Sequence, residues 1–414
     1  MHPISAILSS VALLLLGNGL LNTLLSLTAN ERELSTQVIG LIMSAYFVGF
    51  ICGTFVSGRL IRHMGHIRTF AFCAALCASI ALLHLLIFNP LVWISLRFLY
   101  GLSFVTLMTV IESWLNARAE KAERGKVFAV YMVVNLGAIA VAQQLLRFDG
   151  SEFLLFAMSA IFLCWALLPI TITRRAQPTV PERAKSSFKE LIRFAPLPVA
   201  TAALSGLAMG AFWGMTPLYA SKQGFDFSDI GLLMSATITG GALLQIPIGR
   251  FSDTHDRRKI LAIVAMAAAV LSMLMMFAPG KMSLIVISFV WGGLSFSLYP
   301  IAVAQLLDQL HPDEIVSGST DMLVLHGAGA AIAPLIAGVF MNIFGAHGLS
   351  IYIALVLFVL TAYTILQIKR VSVLTTGEHA HFEPMVQTSH QVLEMIDREE
   401  NPEPNGEKQD DLKA

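Results

Sequence analysis

Apolar runs of about 20 residues or more follow one another along the chain, separated by short polar turns. They lie near 5–27, 37–58, 69–88, 91–115, 127–146 and 153–173 and, after a polar stretch, near 197–220, 229–249, 259–278, 283–306, 316–342 and 348–368. A helix needs about 20 apolar residues to cross the hydrocarbon core of a bilayer. Lipid admits only helices or closed barrels, because backbone polar groups must be satisfied internally. The runs are too long for barrel strands, so the pattern predicts an all-α polytopic membrane protein with twelve transmembrane helices. The polar stretch 174–196 contains Arg174, Arg175, Pro178, Pro181, Glu182, Arg183, Lys185, Lys189 and Arg193. It predicts a surface linker between a six-helix bundle over 1–173 and a second over 197–370. From 371 to 414 the chain is rich in Glu, Asp, Asn, Pro and Gly. That composition predicts a mostly disordered tail, with Val392 to Ile396 as a candidate short amphipathic helix.

The two sets of runs are related. Gly40-Leu-Ile-Met-Ser-Ala-Tyr-Phe-Val-Gly49 recurs 191 positions later as Gly231-Leu-Leu-Met-Ser-Ala-Thr-Ile-Thr-Gly240, and Gly58-Arg59 recurs as Gly249-Arg250. Gly101-Leu-Ser-Phe104 is echoed by Gly293-Leu-Ser-Phe296 at nearly the same offset. A period this long excludes a solenoid and suggests two halves that rock against each other around a central site. Basic residues fix the orientation. One side carries Arg59, Arg62, Arg68, Arg118, Lys121, Arg124, Lys126, the linker, Arg250, Arg257, Arg258, Lys259, Lys369 and Arg370; the other carries Arg32, Arg147, Lys222 and Lys281. The positive-inside bias places both termini and the linker in the cytoplasm. An even number of helices per half makes the halves parallel repeats about an axis along the membrane normal.

Composition agrees with this reading. Of the residues, 56 % are hydrophobic and only 13 % charged, against about 25 % charged in soluble domains. The formal net charge of zero argues against a nucleic-acid partner. Cys52, Cys73, Cys77 and Cys164 all fall in apolar runs without a completing metal set, and read as packing residues. The first run has no basic region before it and is long enough to span, so no cleavable signal is expected.

The polar end of the second run reads Gly58-Arg-Leu-Ile-Arg62-His63-Met64-Gly65-His66-Ile67-Arg68, and its partner reads Gly249-Arg-Phe-Ser-Asp253-Thr254-His255-Asp256-Arg257-Arg258-Lys259. Both resemble the loop signature of the major facilitator superfamily, roughly Gly-x-x-x-Asp-Arg-x-Gly-Arg-Arg/Lys. Arg97-Phe-Leu-Tyr-Gly101 is similar to that family's Arg-x-x-x-Gly signature. With Ile111-Glu112-Ser113 and Ala129-Val130-Tyr131-Met132, it resembles the YcaD-like branch of uncharacterised bacterial permeases. The resemblance covers residues 1 to about 370. It implies a gate built from Gly58, Gly65, Arg68, Gly249, Asp253, Arg257 and Arg258. The first copy departs from the pattern, with Arg62 where Asp is expected. The Gly-Pro signature of drug/proton antiporters is absent from the fifth run, where Asn135-Leu-Gly137-Ala-Ile-Ala-Val stands.

Glycines present in both halves read as packing positions, since small residues let helices approach closely in lipid. Residues present in one half only are better functional candidates. Under the Gly-Leu-Ser-Phe echo, Arg97 falls opposite Phe289 and Glu112 opposite Ala304. An ionised group in the hydrocarbon region costs roughly 2.5–3.5 kcal/mol on insertion scales and faces the bundle interior or a wet cavity. Arg97 reads either as an anchor for an anionic solute group or a proton-coupling partner, or as a snorkelling arginine bonded to helix carbonyls. Glu112 reads as a protonatable switch or as a helix-end carboxylate paired with basic turns. The two are on the order of 22 Å apart along one helix and cannot pair. Asn18, Asn22, Asn135, Gln143, Gln144, Gln245, Tyr299 and His326 mark a polar chamber, with Trp213 as an aromatic wall; each alone reads equally as interhelical glue. The sixth and ninth runs carry almost no polar side chains at mid-depth and are expected to face lipid.

The expectation is therefore a secondary transporter of the bacterial inner membrane, acting as a monomer. It moves a small organic solute by alternating access, with protons as the candidate coupling ion. No phosphate-cradling Gly-x-x-x-x-Gly-Lys-Ser/Thr loop is present, so ATP drive is not expected. No cofactor, metal or catalytic constellation is expected either. The alternatives are efflux of amphipathic compounds and a non-transporting sensor or scaffold on the same fold.

Overall fold

The computed structural model describes residues 3–118, 124–148, 151–172, 188–310, 315–370 and Met385. The first half comprises α1 (Pro3–Glu31), α2 (Thr36–Met64), α3 (His66–Leu86), α4 (Pro90–Arg118), α5 (Arg124–Gln144) and α6 (Glu152–Trp165), the last continued by α7 (Leu167–Ile172). After α8 (Phe188–Phe194) come α9 (Pro196–Lys222), α10 (Phe227–Asp253), α11 (Arg257–Leu274), α12 (Lys281–Leu307), α13 (Ile315–Phe344) and α14 (Gly348–Arg370). Eleven described stretches are long and apolar enough to span a bilayer. The last, Gly318–Lys369, holds both α13 and α14 around a turn at Gly345–His347, which gives twelve crossings.

Two sequence boundaries shift. The end of the expected linker is helical, as α8, with Leu191 buried. The expected gate loops are mostly helix: Gly58 to Met64 close α2, and Gly249 to Asp253 close α10. Helices continue past the apolar run because their polar last turns stand in water. Only Gly65 separates α2 from α3, at φ 81°, a backbone state that favours glycine. Residues 174–187, the segment Val392–Ile396 and the rest of the tail apart from Met385 lie outside the described residues.

The repeat is closer in the structure than in the sequence. Helices α2, α3, α4 and α5 begin at 36, 66, 90 and 124, and α10, α11, α12 and α13 begin at 227, 257, 281 and 315, each 191 later. Contacts obey the same shift. A side chain on Gly40 would strike the Pro334 carbonyl, and one on Gly231 the Gln143 carbonyl. The pairs Gly49–Phe98 and Gly240–Phe289 match likewise. This corrects the register read from the Gly-Leu-Ser-Phe echo. Gly101 corresponds to Gly292, so Arg97 lies opposite Ser288 rather than Phe289, and Glu112 opposite Val303 rather than Ala304.

The halves meet along a seam made by α2 on α13, α5 on α10 and α1 on α9. Thr36 Oγ1 donates to the Gly338 carbonyl at 3.0 Å, and Ser44 Oγ accepts from the Leu335 amide at 3.2 Å. Gln144 Nε2 donates to Ser235 Oγ at 2.6 Å, and Ser235 Oγ to the Ala140 carbonyl at 2.6 Å. Asn30 Nδ2 reaches Ser221 Oγ at 3.2 Å. Those two residues are themselves 191 apart, so their contact marks the pseudo-two-fold axis. All these ties lie at the end of the helices that carries few basic residues. Away from the seam, α6 and α11 are the outer helices: their spans are 39 % and 44 % buried, against 72 % for α4. Internal prolines are unevenly shared. Pro217, Pro247, Pro300 and Pro334 interrupt α9, α10, α12 and α13, whereas α1 to α5 have none beyond their first residue.

Candidate functional site

Helical spacing of four gathers polar and aromatic groups on the inner faces of the central helices. Asn18 and Asn22 share a face of α1, Tyr46 and Phe50 of α2, and Asn135, Ile139 and Gln143 of α5. These residues, with Thr23, Phe47, Phe104 and Met108, form the first half's side of a cavity. Met209, Trp213, Ser295, Phe296, Tyr299 and His326 form the opposite side. The cavity volume is about 120 Å³, well above the roughly 10–15 Å³ that one water requires.

Several wall groups are left with bonding capacity. Asn135 is 1 % exposed, and neither its amide nitrogen nor its oxygen has a hydrogen-bond partner. Across the cavity the Tyr299 hydroxyl and Ser295 Oγ are likewise without partners. The Tyr299 ring lies 4.6 Å from the His326 ring, and His326 Nδ1 sits 3.1 Å from Ser205 Oγ. Gln143 differs: it accepts from Thr23 Oγ1 at 2.7 Å and donates to the Gly19 carbonyl at 3.1 Å, so it serves as interhelical glue. Trp213 packs on Phe212 and Phe296, with ring centroids 4.9 and 5.9 Å away.

Arg97 is 1 % exposed and stands one layer behind the wall. Its Nη2 donates to Asn22 Oδ1 at 2.6 Å, and its guanidinium carbon lies 4.6 Å from the Tyr46 ring centroid and 5.7 Å from that of Tyr100. Neither Nε nor Nη1 has a partner. The cation is thus held by aromatic faces and touches the cavity only through Asn22 and Tyr46, both wall residues. A snorkelling arginine would have pointed to the interface. Glu112 is fully buried and accepts from the Tyr131 hydroxyl at 2.6 Å; it does not line the cavity. Gln245 is buried on α10 away from the wall, and Gln144 belongs to the seam. Tyr46, Phe50, Phe104, Met108 and Phe296 are wall residues that the sequence reading passed over. Tyr46 could have been found, because its repeat partner is Thr237 and a ring therefore occurs in one half only.

At the basic end the two halves are tied differently. Arg257 Nη2 meets Asp253 at 3.0 Å, and Arg257 Nε meets Asp308 at 3.0 Å, joining α10, α11 and α12. Arg258 pairs with Asp256 at 3.3 Å. The repeat positions in the first half are Arg62, His66 and Ala117. There His66 Nε2 lies 3.2 Å from Ser113 Oγ and the ring stacks on Trp114 at 5.7 Å, while Arg62 and Arg68 are exposed. Removing one partner of a buried pair strands the other. Here the carboxylates are partly exposed, so Arg257→Leu should cost about 2 kcal/mol, below the 3–5 kcal/mol of fully buried pairs. His66→Leu should cost less than half of that. Thermal denaturation in detergent measures both.

Comparisons with known proteins follow the same lines. The Major Facilitator Superfamily model matches residues 7–319 and 199–391. An uncharacterised transporter of that type from Escherichia fergusonii, YcaD, is 28 % identical over 362 residues, 86 % of this chain and 94 % of its own. Among solved structures, the nucleoside transporter NupG superposes with a TM-score of 0.73 at 15 % identity, over 90 % of this chain and all of that one. The Escherichia coli fucose:proton symporter superposes at 0.53 and 16 %, over 89 % and 98 %. Paired six-helix halves, a chamber walled by both and a family match over nearly the whole membrane region make this chain a member of the major facilitator superfamily, a membrane-embedded secondary transporter of small solutes.

Proposed function

We propose that the chain carries an uncharged or anionic, hydrogen-bonding organic solute with a flat apolar part, and that cations are poor cargo. The carrying observation is Asn135, whose buried amide faces the cavity with both atoms unpaired. A buried amide without partners is costly, and a solute bearing a donor and an acceptor relieves it. Tyr299 and Ser295 offer matching groups from the other half. The described wall carries no carboxylate, and Arg97 stands behind it, so the field there favours electron-rich groups. Tyr46, Phe104 and Trp213 supply faces for stacking. Nucleoside- and sugar-like solutes, of the kind named for the two structural neighbours, share this chemistry.

In this reading the basic end faces the cytoplasm of a bacterial inner membrane, by the positive-inside bias. The seam then closes the outer side, and the chamber is loaded or emptied from within. The Glu112–Tyr131 pair is the candidate proton site, since a buried carboxylate hydrogen-bonded to a hydroxyl is a group that can exchange a proton. Residues 1–173 and 197–370 are the rocking units, joined through 174–196.

A metabolite screen for thermal stabilisation identifies the solute, since ligands of the folded state raise apparent stability. With that solute, Asn135→Leu should raise KM roughly two- to twelvefold, the equivalent of one hydrogen bond of 0.5–1.5 kcal/mol. Its Tm should not fall, because no protein partner is lost. An unchanged KM, or hits confined to cations, would sink the assignment.

A further inference from the structure

His326 and Asn135 are 191 positions apart, the interval that relates the two halves. They hold the same place on α13 and α5, and both line the chamber, one from each half. A solute on the pseudo-two-fold axis is therefore within reach of both at once. Asn135 brings a donor and an acceptor. What His326 brings depends on which ring nitrogen carries the proton.

Ser205 on α9 decides this. Its Oγ donates to the Ala202 carbonyl at 3.1 Å and lies 3.1 Å from His326 Nδ1. A hydroxyl has one proton to give. The carbonyl can only accept, so the proton goes there, and Oγ receives a hydrogen bond from Nδ1–H. The same carbonyl faces the ring as a further acceptor. Nε2 is then the bare nitrogen of a neutral imidazole, an acceptor. It is on the ring edge turned away from α9 and has no hydrogen-bond partner among the described residues. The backbones around the pair are locked. Gly206 packs on the His326 carbonyl and Gly329 on that of Ala203, so α9 and α13 cross here at contact distance. The repeat position of Ser205 is Leu14, so only the second half carries this device.

We propose that His326 is a specificity-determining residue of the chamber. Ser205 fixes its tautomer, and the bare Nε2 selects solutes that place a hydroxyl or N–H group against it. The proposal rests on the reading of this cavity as the solute path and narrows its cargo to donor-bearing solutes. A carboxylate, ether or ketone at that point sets a lone pair against a lone pair. Any negative charge on the solute therefore belongs at the Arg97 side.

The tautomer is read without a solute. Magic-angle-spinning NMR of the full chain in lipid bilayers, with isotope-labelled histidine, shows which ring nitrogen is protonated, and loss of the signal in His326→Gln identifies it. The parent should show Nδ1–H. Ser205→Ala should admit a share of the Nε2–H form, and Ser205→Thr, which keeps the hydroxyl, should restore the parent signal. An Nε2–H parent, or a tautomer indifferent to Ser205→Ala, overturns the proposal. Access is read with diethyl pyrocarbonate, which acylates an unprotonated imidazole nitrogen, followed by peptide mass spectrometry. Exposed His63 normalises for the reagent. His84 is the sealed control, with Nδ1 2.7 Å from the Ile80 carbonyl and Nε2 buried without a partner. His326 should react about tenfold faster than His84, which must wait for local opening. Phenol, a flat probe with a donor, should protect His326. Anisole, its O-methyl analogue, should need a roughly two- to twelvefold higher concentration, the worth of one hydrogen bond. Equal protection by the two, or a His326 no faster than His84, overturns the proposal and leaves Asn135 untouched. If all arms respond as expected but Asn135→Leu leaves KM unchanged, His326 stands and the assignment built on Asn135 falls.

Discussion

Gly40→Val is expected to hold the seam open and to cut transport by one to two orders of magnitude. Any β-carbon on Gly40 runs into the Pro334 carbonyl of α13. Both are backbone positions of packed helices, so neither can rotate aside. Overpacking of this kind costs about 1–3 kcal/mol, and it penalises only the conformation in which α2 and α13 touch. The population of that conformation should fall roughly 5- to 150-fold. The repeat makes the prediction specific: Gly231→Val meets the Gln143 carbonyl and should act in the same direction. The two sites lie in different arms of the seam, so the double variant should approach the sum of their free energies. The measurement is turnover in proteoliposomes, together with labelling of Met108→Cys from the weakly charged side of the bilayer. Accessibility unchanged from that side contradicts the seam as described.

Arg97→Leu should lower flux tenfold or more while leaving Tm close to that of the parent. Two opposing effects nearly cancel in stability. The variant loses a charged hydrogen bond to Asn22, about 1.5–3 kcal/mol, and the stacking on Tyr46 and Tyr100. It also relieves an unpaired cation whose insertion costs roughly 2.5–3.5 kcal/mol. Function has no such compensation, because Asn22 and Tyr46 are then free to leave their positions on the wall. Arg97→Lys keeps the charge but not the flat, multiply bonding guanidinium, so it should recover only part of the flux. Flux that follows Tm across the three proteins would reduce Arg97 to a structural residue.

Much of this was legible in the sequence because lipid leaves few options. Twelve apolar runs could only be helices, and the repeated glycines Gly40, Gly49 and Gly101 mark close contacts, as expected, whereas Gly58 does not: a side chain there would meet only Arg62, at 3.6 Å. A charge such as Arg97 had to turn inward, as it does. Asn18, Asn22, Asn135, Trp213, Tyr299 and His326 were recognisable as wall residues because polar or one-sided aromatic groups interrupt apolar faces. The failures have physical reasons too. The Gly292-Gly293 doublet hides a one-residue slip, which only backbone contacts resolve. Gln143 and Gln144 are neighbours in sequence, yet one is interhelical glue within the wall and the other a seam residue, since adjacent helix positions face about 100° apart.

The uneven distribution of internal prolines has a mechanical consequence. Each proline removes a backbone donor from its helix and loosens the turn before it, a defect that membrane helices absorb through neighbouring groups. Helices α9, α10, α12 and α13 carry one each, and α1 to α5 carry none in their interiors; the first half's one internal proline among the described residues, Pro169, lies in α7 at the end of the outer sixth span. The partners are therefore unequal in stiffness. One half turns as a beam, while the other bends as it turns, with Pro334 placing a point of compliance opposite Gly40. The stroke that exchanges one open face for the other is then lopsided, with elastic strain gathered on the second half of the chain.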